Sequence, residues 1–324
     1  MARKRTRKNS GIGGQAVLEG VMMKNKDAFA VAVRRPDGKI EVKKGEYKSV
    51  KREGTIFNIP FIRGVFAFVD SIKLGMESLN FSASFYEDDG TPKTAADKAV
   101  DAVSDNNSQK VWEVLTMILA FAIAIGLFVV LPYFLSELLK GYVRNESLLA
   151  LIEALIRIVI FLIYVVAITA MKDIRRVYMY HGAEHKCINC IESGLPLTVK
   201  NVRRATRLHR RCGTSFLLFV VFISAVLFFF IRVDQPLLRV LIRIALIPVI
   251  AGIAYEILRL AGRSDALIVR IISAPGLMLQ KLTTKEPDDD MIEVGIASVE
   301  AVFDWKQYLK ETFDFDVEAV MAEE

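Results

Sequence analysis

Residues 112–135 read WEVLTMILAFAIAIGLFVVLPYFL, an apolar run with no charge after Glu113. A bilayer core of ~30 Å is crossed by ~20 apolar residues in helix, so this one stretch is long enough to span. Working outward, Leu148 to Met171, Thr214 to Ile231 and Leu237 to Leu258 repeat the pattern, the last with Pro248 and Gly252 as candidate kinks. The fold class that follows is mostly α: a polytopic membrane protein with about four transmembrane helices. Bulk composition agrees. The 324 residues are 53% hydrophobic with mean hydropathy +0.35, yet 25% are charged, so the charges must be segregated from the apolar runs.

Charge counting sets the expected topology. The segment from Lys172 to Arg211 carries ten Lys and Arg against Asp173, Glu184 and Glu192, whereas Ser136 to Ser147 holds two of each sign. By the positive-inside rule the basic segment and both termini face the cytoplasm, and two short loops face outward. The same rule accounts for the net charge of +6, so no nucleic-acid partner is expected. The basic start (Arg3, Lys4, Arg5, Arg7, Lys8) runs into Gly11 to Gly14 instead of an apolar core, so no cleavable signal is expected. Three cysteines make no disulfide framework.

Outside the spans, residues 1–60 read as a small N-terminal β-rich unit. Phe29 to Arg34 alternates weakly, and Pro36-Asp37-Gly38 is a turn signal ahead of Lys39 to Val42. Residues 61–110 read as an amphipathic helix and an acidic linker, because Ile62, Val65, Phe66, Val69, Ile72, Met76 and Leu79 recur at three and four. The membrane domain covers 111–258, including the 172–213 segment. Residues 259–324 read as interfacial helices, broken at Ala274-Pro275-Gly276, followed by an acidic tail.

All three histidines and all three cysteines fall between His181 and Cys212. On a helix continuing from the second span, His181 and His185 lie about 40° apart and Glu184 about 60° to the other side of His181. The order His-x-x-Glu-His is that of an inverted zinc-hydrolase motif, in which the Glu serves a metal-held water as base. A third ligand would come from His209, Glu192 or Cys212, and an open fourth position would mark catalysis. A second arrangement competes: Cys187-x-x-Cys190 with His209-x-x-Cys212 matches a closed structural zinc ribbon. Cys187 or Cys190 alone also reads as a small buried hydrophobe.

Several separated motifs carry a resemblance: Gly13-Gly-Gln-Ala-Val-Leu-Glu19-Gly-Val-Met-Met23, His181-Gly-Ala-Glu-His-Lys186, Leu197-Thr-Val199, His209-Arg-Arg-Cys-Gly-Thr-Ser-Phe216 and Leu282-Thr-Thr-Lys-Glu-Pro287. Together they resemble the YqhQ-like bacterial membrane family, domain of unknown function 1385, described as predicted metal-dependent enzymes. The resemblance implies a site at His181, Glu184 and His185, with His209 and Cys212 from the later motif, where Arg210 stands in place of the usual Pro. Glu192 carries over from a Tyr-Glu pair. Cys187 and Cys190 are not constant in that pattern. The resemblance also raises Glu19, and more weakly Glu286, as acid–base or supporting groups; a backbone tether is the alternative for both.

Within the spans, Glu153 and Arg157 can pair at four apart, Arg239 and Arg243 can snorkel outward, and Glu256 lies near the inner end of the fourth. The leading expectation is a membrane-bound metal-dependent hydrolase in the bacterial inner membrane. His181, His185 and His209 would hold a divalent ion, zinc first. Glu184, with Glu19 in support, would be the catalytic acid–base group. Lys186, Arg203, Arg204, Arg207, Arg210 or Arg211 would attract an anionic small molecule or lipid head group. The alternatives are a non-catalytic membrane scaffold or regulator with a structural zinc, and a metal or solute transporter.

Overall fold

The computed structural model describes residues 8–47, 58–86, 106–231, 233, 235–262 and 266–315. The basic start through Arg7, the linker at 87–105 and the tail beyond 315 lie outside the described residues. The chain divides into two compact units: residues 1–87, 165–220 and 251–324 form one, and 88–164 with 221–250 form the other.

The first unit contains the β-rich expectation as a four-stranded antiparallel sheet in order β1-β2-β3-β4, with strands Gly13–Val17, Gly20–Asn25, Ala28–Arg34 and Ile40–Glu46. Two-residue turns join the first three strands, at Leu18-Glu19 and Lys26-Asp27. Both faces of the sheet are covered, which is why β3 shows only weak alternation. On one face Val17, Met22, Phe29, Val31 and Val33 pack with Leu74 of helix α1 (Ile62–Ala83). The other face, through Val21, Met23 and Ala32, shares a core with Tyr180, Ile188 and Ile191 and with Met291, Ile292 and Val299. Each fully buried Ile or Met contributes roughly 1.5–3 kcal/mol at most.

The second unit holds the apolar helices for most of their length. Helix α2 (Asn106–Ile125) passes through a π-helical turn at Gly126–Val130 into α3 (Leu131–Leu138), and α4 covers Glu146–Ala170. Helix α5 (Lys172–Glu192) and the short α6 (Val199–Arg204) belong to the first unit; α7 is Gly213–Phe230, α8 Pro236–Ala245 and α9 Ile247–Ala261. Four stretches are long and apolar enough to cross a membrane: Val114–Leu138, Glu146–Ala170, Gly213–Phe230 and Pro236–Ala261. They point to a membrane protein. The last is interrupted at Leu246, two residues ahead of Pro248, whose missing N–H leaves the carbonyl four back without its donor.

Pro132 has the same effect in the first span. It cannot donate to the Phe128 carbonyl, the helix widens to a π-turn, and Arg157 Nε donates to that carbonyl at 3.0 Å instead. Arg157 Nη2 also donates to Glu153 Oε1 at 2.7 Å, as the four-residue spacing predicts. Arg243 does not snorkel. It is 2% exposed and donates to Glu153 Oε2 at 2.8 Å, completing a buried triad. Glu256, in the first unit, is paired with Arg63 of α1 at 2.6 Å.

Two boundaries differ from the sequence reading. Met171 adopts extended backbone, so α5 is a helix of its own and not a continuation of α4. Residues 267–283 form one helix, α10 (Leu267–Thr283), that passes through Pro275 without breaking into a pair. Helices α11 (Asp289–Val302) and α12 (Trp305–Phe313) follow, each begun by an Asp cap, Asp288 accepting from Met291 N–H and Asp304 from Gln307 N–H.

Candidate metal centre

Helix α5 carries the site through the core of the first unit. Every residue from Gly182 to Glu192 is buried, although the stretch is polar, so each polar side chain needs an internal partner. Lys186 Nζ donates to the Arg203 carbonyl at 2.8 Å, and Asn189 Nδ2 donates to the carbonyls of Thr206 and Leu208. These bonds hold the 203–212 loop against the helix. Gly182 admits the 284–287 strap: an added Cβ would fall 2.0 Å from the Lys285 carbonyl oxygen.

Three donor atoms converge there. One ligand atom each from His181, His185 and Cys212 lies within 4.8 Å of the other two. The imidazole tautomers follow from the partners of Nδ1. His181 Nδ1 donates to the Thr283 carbonyl at 2.9 Å and His185 Nδ1 donates to the Arg207 carbonyl at 2.6 Å. Both Nε2 lone pairs are therefore left for the shared centre, the arrangement that orients metal-ligating histidines. His181 Nε2 is 3.2 Å from Cys212 Sγ. Tetrahedral zinc with ~2.0 Å bonds to nitrogen and ~2.3 Å to sulfur sets its ligands roughly 3.3–3.6 Å apart. The 3.2 Å pair is slightly closer than that and all three donors lie within 4.8 Å of one another, so modest side-chain shifts bring them to tetrahedral spacing. Two imidazole nitrogens with one sulfur are donor types that suit a divalent ion. Thr214 N–H donates to Cys212 Sγ at 3.4 Å, at the amino end of α7, where free amides favour a negatively charged ligand.

Glu184 faces the same point. Its Oε2 is 3.8 Å from His181 Nε2 and 4.0 Å from His185 Nε2. Burial pushes its carboxyl up to about 7, against the opposing effects of His181, the Gly14 amide and Arg211. That amide belongs to edge strand β1, and the approach requires glycine: a Cβ at Gly14 would meet the Met22 carbonyl oxygen at 2.5 Å and Glu184 Cγ at 3.0 Å. A cavity of about 550 Å³ opens beside the cluster, and its wall includes Gly14, Phe68, His181, Glu184, Cys212 and Phe216.

The remaining expected site residues do not join the three donors, although His209 lines the same cavity. His209 is not among the three donors. Its ring centroid is 5.5 Å from that of His185, and its Nε2 is 3.7 Å from Glu192 Oε2. Burial lowers His209 to about 4, more than Glu192 raises it. Glu192 accepts from Arg211 at 2.5 Å and from the Ser10 amide and hydroxyl, each at 2.8 Å. Burial raises its carboxyl, but His209 and Arg211 outweigh that and bring it down to about 2. Glu19 sits in the β1–β2 turn with a left-handed φ of 49°, its carboxylate held by Arg176 and by the Tyr180 hydroxyl. Those partners are what the tether alternative expects. Glu286 likewise pairs with Lys186 at 2.8 Å. Cys187 and Cys190 do not assemble a zinc ribbon: both are buried in the apolar core, and burial pushes Cys187 well above the usual thiol range and Cys190 to about 12. The basic residues expected to draw an anion are largely paired internally, Arg203 with Asp289, Arg207 with Glu286 and Arg211 with Glu192.

The sequence reading missed Gln280. It is fully buried, accepts from His209 N–H at 2.9 Å, and donates to the His209 carbonyl at 2.7 Å and to Ser215 Oγ at 2.9 Å. Its position two residues before the Leu282 to Pro287 motif was the available signal.

Comparison with known proteins matches residues 59–305 to the family described as "Protein of unknown function (DUF1385)". The chain belongs to that family. It is also similar to the "Uncharacterized protein YqhQ" of Bacillus subtilis (strain 168), 38% identical over 287 residues that cover 88% of this chain and 90% of the relative. The matched region takes in every member of the cluster. No solved structure matches.

Proposed function

We propose that this is a membrane-bound, metal-dependent hydrolase, with both termini and the site at the cytoplasmic face of the bacterial inner membrane. The observation that carries the reading is the convergence of two tautomer-fixed imidazoles and one cysteine sulfur beside a buried carboxylate and a cavity. His181, His185 and Cys212 would hold the ion. A divalent metal such as zinc supplies Lewis acidity, polarising a substrate oxygen and acidifying water.

Glu184 is placed to take a proton from water and pass it to the leaving group, so that the elements of water are divided between the two products with no redox change. The Gly14 amide orients that carboxylate. Gln280, through the His209 backbone, supports the loop that presents Cys212 and the Arg207 carbonyl. A second reading has one supporting observation: Glu184 lies near enough to both imidazoles to close a four-ligand structural site. The cavity beside the cluster favours the first. Transport has less support, since the span charges Glu153, Arg157 and Arg243 are bonded to one another.

Elemental analysis of the purified full-length protein tests the proposal. About one divalent ion per chain is expected, lost in His181→Ala, His185→Ala and Cys212→Ser but kept in Glu184→Gln. Absence of metal from the wild type refutes both readings, and release of the ion by Glu184→Gln assigns that residue to the closed site.

A further inference from the structure

The cavity beside the donor cluster is walled mainly by carbon. Ala67 and Phe68 come from α1, Val177 from α5, Phe216 and Leu217 from the first turns of α7, and Leu258 from the end of α9. Its volume of about 550 Å³ lies in the range of roughly 300–1,000 Å³ typical of ligand sites. Two of the contributing helices are ends of stretches long and apolar enough to cross a membrane, so the apolar wall is built in part from candidate spans.

The outer surfaces of the same unit are apolar as well. Ile62 and Val69 of α1 are exposed, as are Leu267, Ile271 and Met278 of α10. The α10 set falls at spacings of four and seven, one stripe of a helix whose other side presents Val269, Ser273, Gly276 and Gln280 inward. Such a helix lies in a bilayer surface with its stripe toward the acyl chains.

The charges around the cavity are engaged: Arg211 is bonded to Glu192, and the cationic loop residues named above are paired with carboxylates. An apolar peptide is the competing occupant, and it would pair with the free edge of β1. That edge is partly occupied, because the Gly14 amide binds Glu184 and the Ile12 carbonyl accepts from Arg211 at 3.5 Å. A chain without backbone donors and acceptors meets no such obstacle.

We infer that this cavity holds the hydrocarbon tail of a long-chain acyl lipid, which places the lipid's polar linkage beside His181, His185 and Cys212. The inference rests on the hydrolase reading for its chemistry but not for the binding of the tail. It gives the substrate class as a fatty-acyl amphiphile drawn from the membrane.

The test uses the full-length protein in phosphatidylethanolamine–phosphatidylglycerol vesicles with a diazirine-bearing palmitate, and labelled peptides are read by mass spectrometry. Labelling of α1 near Phe68 and of α7 near Phe216 should saturate and fall about tenfold under excess palmitate, while the exposed α10 stripe labels without saturation. Ala67→Trp, which fills the cavity, should abolish the saturable fraction and keep the metal; should that variant not fold, competition in the wild type decides. Cys212→Ser should lose the metal and keep saturable labelling, so failure of the metal reading and failure of the lipid reading are separated. Labelling at Phe68 and Phe216 that never saturates overturns the inference, and so does displacement of the probe by an apolar helical peptide but not by palmitate.

Discussion

Replacing Gln280 by Leu probes how the fold holds the metal ligands without touching a ligand. The side chain is fully buried and makes three hydrogen bonds, two of them to the backbone of His209. Leu nearly conserves volume but strands the His209 N–H and carbonyl, and each unsatisfied buried group costs about 1–3 kcal/mol. A stability loss of roughly 2–5 kcal/mol is expected, read as a lowered thermal midpoint in detergent. The loop from Arg207 to Cys212 supplies both the carbonyl that fixes the His185 tautomer and the sulfur ligand. Loosening it should therefore weaken zinc about 10–100-fold in chelator competition, the range for loss of a supporting partner. The control is His209→Gln, which removes the ring but keeps the backbone clamp. It should leave zinc affinity near the wild-type value. The reasoning is refuted if Gln280→Leu binds zinc normally, or if His209→Gln alone releases it.

Other consequences can be checked on the same preparation. Replacing Cys187 and Cys190 together by Ser should keep the metal and cost about 1–3 kcal/mol per buried hydroxyl left unpaired; metal loss on that change revives the zinc-ribbon assignment. Glu153→Ala leaves Arg157 and Arg243, each 2% exposed, without their carboxylate, and should destabilise by roughly 3–5 kcal/mol in detergent unfolding; an unchanged midpoint would show the triad to be hydrated. Acid should unfold the protein in two stages. His209 takes up a proton near 6.5 when unfolded but only at about 4 when folded. The folded state thus loses stability as pH falls across that interval, by on the order of 3 kcal/mol. Glu192, lowered from 4.5 to about 2, extends the loss below pH 4.5 as its pairing with Arg211 is protonated away. A flat stability profile between pH 6.5 and 4 in the wild type contradicts the burial of a neutral His209.

The spans were legible because length and charge segregation decide them, and His181 with His185 because a four-residue spacing on a helix fixes their common face. The third donor was open on sequence alone. His209 and Cys212 lie three apart in an irregular loop, both facing α5, and the loop's path is set by distant partners, among them Gln280, far along the chain, which clamps the His209 backbone. The break at Met171 carried no proline or glycine signal. The β1–β2 hairpin was hidden because its turn places Glu19, not glycine, at positive φ, held there by Arg176 and Tyr180. Arg243 read as a snorkelling residue because its partner, Glu153, is distant in sequence. Likewise, the basic loop resembled an anion lure until its carboxylate partners in 286–289 were placed.

The most direct measurement is X-ray absorption at the zinc edge of the full-length protein. It should show one sulfur at ~2.3 Å and two imidazole nitrogens at ~2.0–2.1 Å, with a light-atom position left over. The sulfur signal should vanish in Cys212→Ser and persist when Cys187 and Cys190 are changed. Two or more sulfurs on the ion, or an all-nitrogen shell that includes His209, would contradict the centre described above.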